Sequence, residues 1–282
     1  MSGEIAHVSD TAFWVASFRA RESERADAVF QDPLARVLVG TKGDEIAQSL
    51  GGARMMSFII VVRTSAIDRL VASAIERGVD TVLNLGAGLD TRPYRLKLPP
   101  SLRWIEADFP SMIELKNDKL AAERPVCALE RVGIDLADRA ARRALLARVA
   151  ASARSVLVIT EGVINYLSDD EAGRLAEDVH AEAALRYWIQ DYYSAEARRH
   201  RPRWRRKMQA APFLFRVPDW FGFFGKYGFR PLEKISIATE ARRIRRRPPW
   251  PWSVVARLIP ASWLERDDGS LGYVLLERSA DT

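Results

Sequence analysis

The run Val82-Leu-Asn-Leu-Gly-Ala-Gly-Leu-Asp-Thr-Arg-Pro-Tyr-Arg95 joins an apolar stretch to a turn with two glycines one residue apart. Apolar residues at that density read as a buried strand, and Gly86 and Gly88 leave the main chain bare where it turns, so a ligand can lie against peptide groups. About twenty residues further on, a second strand pattern, Arg103-Trp-Ile-Glu-Ala107, ends at Asp108, a carboxylate suited to accept from the hydroxyls of a ribose. The third glycine of a dinucleotide fingerprint is missing: Thr91 fills its position, followed by Arg92 and Pro93. No Gly-Lys-Ser/Thr follows at the spacing of a phosphate loop either. These residues point to a nucleoside without phosphates.

Arg63 stands out by its surroundings. On a helix over 55–77 it shares a face with Ile59, Ala66, Ile67, Leu70 and Ala74, near the middle of an apolar stripe at 100° per residue. A guanidinium there needs an anion: a ligand carboxylate, or a structural salt bridge to Asp68 or another acid. Glu161 ends a strongly apolar strand pattern, Ser155-Val-Leu-Val-Ile-Thr160, where a carboxylate is expected to meet a cation. Asp90 either caps the helix that follows it or contacts a ligand ammonium, with the cap favoured; Asp108 has a cap before Pro110 as its compatible second role. Asp135 and Leu136 follow a third strand, where a short carboxylate suits an amino group or the next helix start equally. Tyr166 is a pocket residue or ordinary packing.

The runs Val62–Arg69, Asn84–Leu96, Ile105–Pro110 with Leu115-Lys116, Gly133–Leu136 and Thr160–Leu167 resemble, in order, the motifs of the leucine carboxyl methyltransferase family. Thr11–Trp14, Arg19–Glu22 and Asp32–Ala35 extend the resemblance, so that it covers residues 8–190; beyond that it thins to Tyr227–Arg230 and a final strand. The resemblance implies S-adenosylmethionine as cofactor and O-methylation of a carboxylate or hydroxyl, with polyketide-like metabolites among the acceptors. It implies that Arg63 meets the methionine carboxylate and Gly86 the cofactor, with Gly88 beside it. Asp108 would take the ribose, Asp135 and Leu136 the adenine, and Glu161 the ammonium or sulfonium side.

A carboxylate acceptor is already an anion, whereas a hydroxyl must lose its proton to a group in reach. Of the three histidines, His180 belongs to a helix pattern and His200 to an arginine run, which leaves His7 as the candidate base. The shortage of bases favours carboxyl methylation, with Arg19 or Arg199 steering the acid. Other readings are methylation of a protein C-terminal carboxylate, an RNA methyltransferase, for which no base-methylation motif is visible, and a cofactor-binding scaffold that docks a carrier protein.

The elements that must position these residues follow from pattern. Strands are expected at Thr81–Leu85, Arg103–Ala107, Leu129–Ile134, Ser155–Thr160, Ala184–Gln190, Pro231–Ala238 and Gly272–Glu277. Helical patterns separate the first five, one of them running through Leu136–Val149 and another opened by a capping box of Ser168 and Glu171. No crossover helix is evident between the last two strands, so they pair antiparallel. The expectation is a Rossmann-like, doubly wound α/β fold with a mostly parallel seven-stranded sheet and an antiparallel last strand. Residues 1–78 would form an N-terminal helical cap and 79–282 the methyltransferase core, with a cap insertion around 192–228, all in one structural domain. Trp14, Phe18, Trp204, Phe213, Phe215, Trp220, Phe221, Phe223 and Phe224 would line the cap or pack in the core.

The chain has 282 residues, 48% of them hydrophobic, and no apolar run near the length of a membrane span. With no signal-peptide pattern at the N-terminus, a cytoplasmic protein is expected. Cys127 is the only cysteine, so neither an internal disulfide nor a zinc cluster is expected. The net charge of +6 is concentrated in Arg198–Lys207 and Arg242–Arg247, read as solvated faces or as docking sites for an acidic carrier protein; a nucleic acid partner is disfavoured.

Overall fold

The computed structural model describes residues 8–40, 53–193, 213–253 and 271–279. Seven strands form one sheet: β1 (Thr81–Leu85), β2 (Arg103–Asp108), β3 (Ala128–Gly133), β4 (Val156–Thr160), β5 (Leu185–Tyr193), β6 (Phe229–Ser236) and β7 (Leu271–Arg278). Their order is β3-β2-β1-β4-β5-β7-β6. The first five run parallel, and β7 lies antiparallel to both β5 and β6. Every residue of β1 and β4 is buried, as expected of central strands covered on both faces, and this is why both read as unbroken apolar runs. The chain order reverses between β1 and β4, which opens a crevice beyond their carboxyl ends and brings Gly86 and Glu161 to neighbouring strand ends.

Helices cover both faces. On one side lie α5 (Arg139–Ala151), α6 (Asp169–His180) and α7 (Trp220–Gly225), which bury Leu146, Val149, Ala176, Val179 and Phe224 against Leu83, Val158 and Trp188. On the other lies the second half of α2 (Ala53–Glu76), where Ala66, Ile67, Leu70 and Ala74 pack with Val82, Leu157 and Ile189. The first half of α2 joins α1 (Val8–Ser23) and α4 (Pro110–Lys119) in a third cluster around Trp14, Phe18, Ile60 and Met112. A single turn, α3 (Arg92–Arg95), follows the glycine loop, and α8 (Ile237–Arg243) follows β6. No described helix is long and apolar enough to cross a membrane.

The structure moves several expected boundaries. Strand β6 ends at Ser236 because its side chain accepts from the Thr239 N–H, which turns Ile237 and Ala238 into the start of α8. Helix α5 starts at Arg139 and not at Leu136, since Asp138 accepts from the N–H groups of Ala140 and Ala141. The capping box of α6 forms as expected, with Ser168 and Glu171 bonded reciprocally. Phe215, Trp220 and Phe224 pack in the core beneath the sheet, and Phe221 and Phe223 lie partly buried against the same cluster. Trp220 Nε1 donates to Gln190 Oε1 at 3.1 Å, which satisfies the indole inside that core.

Candidate active site

A cavity of about 760 Å³ opens beyond the carboxyl ends of β1, β2 and β4. Its floor is the glycine turn. Gly86 and Gly88 have φ of +71° and +45°, in the left-handed region. A Cβ on Gly86 would lie 2.6 Å from Val163 Cγ2, and one on Gly88 would lie 3.1 Å from Ala12 Cβ. The bare backbone is therefore required by the fold and also exposes peptide groups to the cavity.

Asp108 ends β2 and faces this turn. Its Oδ2 accepts from the Gly88 N–H and its Oδ1 from the Phe109 N–H, both at 2.7 Å. Burial raises the Asp108 pKa, against the pull of those two hydrogen bonds. The N-cap position of α4 is Phe109, which makes no side-chain cap bond, so Asp108 does not fill the cap role expected of it.

A chain of opposite charges runs under the turn, with Arg92 at its centre. Arg92 Nε donates to Asp68 Oδ1 at 2.7 Å, and its Nη1 donates to Asp90 Oδ2 and to Glu161 Oε2 at 2.8 Å each. Asp90 also accepts from the Arg92 N–H and from Asn84 Nδ2, so it braces the start of α3 one residue ahead of the N-cap position, Thr91. Burial by itself would raise the carboxyls of Asp90 and Glu161, but the cations around them, Arg92 foremost, hold both below the usual carboxylate range.

Arg63 completes the cluster. Its Nε lies 2.7 Å from Glu161 Oε1 but off the N–H direction, so the pair attracts as charges without an aligned hydrogen bond. Asp68, the other anion considered for Arg63, is held by Arg92 and Arg95. Among the described residues, the terminal nitrogens of Arg63 make no hydrogen bond. The pair thus offers a cationic fork and a carboxylate side by side, complementary to the carboxylate and ammonium of an α-amino acid.

Arg19 lies at the edge of the same network. Its Nε donates to Asp32 Oδ2 at 2.8 Å and its Nη2 to the Leu89 carbonyl at 2.5 Å, while Thr91 Oγ1 donates to Asp32 Oδ1 at 2.6 Å. These bonds clamp α1 to the glycine loop, so two of the three guanidinium nitrogens are spent on the fold and not on a bound acid. Asp135 and Leu136 line the far end of the cavity. Asp135 accepts from the Ala137 N–H and is exposed; the cap of α5 belongs to Asp138. Arg142, tied to Asp178, donates to the Leu136 carbonyl and fixes that backbone.

At the other end, Tyr166 packs at 5.2 Å from Phe213, near Trp14, Met55, Ile59 and Tyr193. Burial pushes its phenol up to about 12. The loop carrying Glu161 and Tyr166 is held by buried Asp191, which accepts from the Gly162 N–H and from Asn165 Nδ2 at 2.6 Å each. His180 closes α6 with its ring against Phe229, away from the cavity lining. His7, His200, Arg199 and Trp204 lie outside the described residues. Sequence reasoning missed Arg92, Asp32, Arg142 and Asp191. Only Arg92 carried a local signal, an arginine placed two residues after the acid of a glycine turn.

The site tests well against a nucleoside joined to an amino acid: glycines whose Cβ positions are occupied, an acid facing them, and an imperfectly satisfied Arg–Glu pair. Fold and site define the class of S-adenosylmethionine-dependent methyltransferases. Residues 12–180 match the leucine carboxyl methyltransferase family, and the chain belongs to it. A Parafrankia protein provisionally named as an S-adenosyl-L-methionine-dependent methyltransferase is 35% identical over 262 residues, covering 84% of this chain and 82% of its own. A Streptomyces coelicolor protein of the same provisional name is 36% identical over 205 residues, 65% of this chain and 70% of its own. In fold, a Streptomyces avermitilis protein of the DUF574 family superposes with a TM-score of 0.57 at 18% identity, covering 93% of this chain and 96% of its own.

Proposed function

We propose that this methyltransferase acts on oxygen, at a carboxylate or an acidic hydroxyl of a small, largely apolar molecule such as a polyketide-like acid. The observation that carries this reading is the apolar and aromatic end of the cavity lying next to the Arg63–Glu161 pair. When bound, S-adenosylmethionine supplies a methyl group on a sulfonium, activated for in-line displacement. The chain's own part is to hold and orient. Arg63 would take the methionyl carboxylate with its free terminal nitrogens, while Arg92 keeps Glu161 in place as the partner of the ammonium. Asp108 retains lone pairs for ribose hydroxyls while it holds the Gly88 and Phe109 N–H groups. Asp135 and the backbone at Leu136 would border the adenine.

Tyr166, with its phenol near 12, stays protonated at neutral pH and can donate to an acceptor oxygen but not take its proton. An oxygen that arrives ionised needs no base, and this supports a carboxylate or acidic phenol over an aliphatic alcohol. Trp14, Phe213 and Tyr193 would keep water from the reacting oxygen and fix the approach, where alignment is worth effective molarities on the order of 10⁵–10⁸ M. The test is a set of aromatic and aliphatic acids, phenols and alcohols incubated with cofactor, with S-adenosylhomocysteine release and the methylated product as readouts. Methyl esters or aryl methyl ethers are expected. N-methyl products, or tight cofactor binding with no turnover on any oxygen acceptor, would overturn the proposal.

A further inference from the structure

The cavity mouth carries an unusual lip. Among the described residues, Trp250 at 81% and Trp252 at 57% are the two most exposed large apolar side chains. Trp252 lines the cavity, and Trp250 stands two residues before it in the segment Pro248-Pro-Trp-Pro-Trp252. Neither indole packs on another described ring. Such side chains lose the benefit of burial in water, whereas at a lipid–water boundary they find an apolar phase for the ring and a polar one for the N–H.

The arginine run immediately before the lip divides into two sets. Arg243 pairs with Glu240, and Arg246 pairs with Glu22 and Asp27. Arg243 also donates to Ser65 Oγ on α2 at 2.8 Å, so these two arginines fasten the segment to α2 and to the end of α1. Arg242, Arg245 and Arg247 are exposed, with no ion pair among the described residues. Three unneutralised cations and two exposed indoles thus fall within eleven residues of chain, on a segment anchored to the body of the protein.

We propose that this lip docks on an anionic lipid surface, and that the acceptor is an amphiphile passed from that surface past Trp252 into the apolar end of the cavity. The second half rests on the oxygen-methylation reading above; the docking does not. Charge complementarity selects the anionic surface. The exposed indoles favour a lipid boundary over a folded acidic protein, which would match the arginines but leave the indoles in water. Single-stranded RNA would stack on the indoles, yet the cavity that Trp252 lines is walled mainly by apolar surface, including Val15, Met55, Ile59 and Leu271, and is no continuous cationic groove.

The test is co-sedimentation of the full chain with phosphatidylcholine vesicles with and without phosphatidylglycerol, at low and high NaCl. Binding to the anionic vesicles that weakens with salt is expected. R242Q/R245Q/R247Q should lower it by roughly a hundredfold, about fivefold for each arginine, and W250A by about tenfold. Both variants should keep their affinity for S-adenosylhomocysteine, which shows that they are folded. Activity on a long-chain acid carried in anionic vesicles should fall with vesicle binding in R242Q/R245Q/R247Q. Failure of the wild type to bind anionic vesicles overturns the proposal, as does binding unchanged in both variants. Retention on an acidic protein or RNA without vesicle binding also overturns it. Vesicle binding without any affinity for S-adenosylhomocysteine would sink the enzymatic reading and leave the docking intact.

Discussion

Glu161 stands between two guanidinium groups that differ in how firmly they hold it. Arg92 makes an aligned hydrogen bond to Oε2, whereas Arg63 approaches Oε1 at 2.7 Å without one. The first contact is an anchor and the second is exchangeable. Arg63→Ala should therefore weaken S-adenosylhomocysteine binding by about 2–5 kcal/mol, and Arg63→Lys should recover only part, because an ammonium cannot make the planar two-point contact. Isothermal titration measures both; normal affinity with a lowered melting temperature would mean that the pair serves the fold alone. Arg92→Ala acts differently, since it leaves Asp68, Asp90 and Glu161 short of a cation. A stability loss of about 3–5 kcal/mol in urea unfolding is expected, with cofactor binding lost alongside. Arg63 was legible in the sequence because a charge within an apolar helical stripe demands a partner. The full role of Arg92 was not, because beyond neighbouring Asp90 its carboxylate partners lie 24 residues before it and 69 after it, a proximity that only the sheet creates.

The elements around the glycine turn are joined by polar clamps as much as by packing. Asp32 ties α1 to the loop through Arg19 and Thr91, and Arg19 and Arg95 hold its carboxyl below the usual range against the opposing effect of burial. A carboxyl depressed on folding contributes stability that is present above its unfolded pKa of about 3.9 and is lost as the pH falls through its lower folded value. The stability of the wild type should thus decline at acid pH. Asp32→Asn should cost about 3 kcal/mol at neutral pH and flatten that part of the profile, as read from urea midpoints against pH. Gly86→Ala tests the turn itself. With φ at +71° and Val163 Cγ2 at 2.6 Å from the new methyl, it should lose about 1–3 kcal/mol of stability and most of its cofactor affinity. The turn and its strands could be read from sequence because glycine spacing and apolar runs are local signals. The Asp32 clamp could not, because nothing in Asp32-Pro-Leu-Ala35 names the loop it meets.

For the molecule as a whole, a bound nucleoside should stabilise the native state by mass action. S-adenosylhomocysteine at a hundred times its Kd adds about 2.7 kcal/mol, a rise in melting temperature of roughly 5 °C for a chain of this size. NAD should give no shift, and a thermal scan with each compound distinguishes them. The mostly parallel sheet with its antiparallel last strand was legible because helical patterns separate the first five strands and no crossover joined the last two; the order of the strands was not, since it depends on contacts between segments far apart in the chain. The aromatic stretch after β5 was harder, since periodicity cannot separate a side chain that lines a cavity from one that fills a core; Phe213 does the first and Phe215 the second. Helix α2 belongs to both regions, with Met55, Met56 and Ile59 on the cavity and Ile67, Leu70 and Ala74 on the sheet. Recognition and foldedness are thereby written on successive turns of one rigid rod. Acceptor preference can drift through its first two turns with the sheet undisturbed, so a lineage could acquire new chemistry there without first acquiring spare stability.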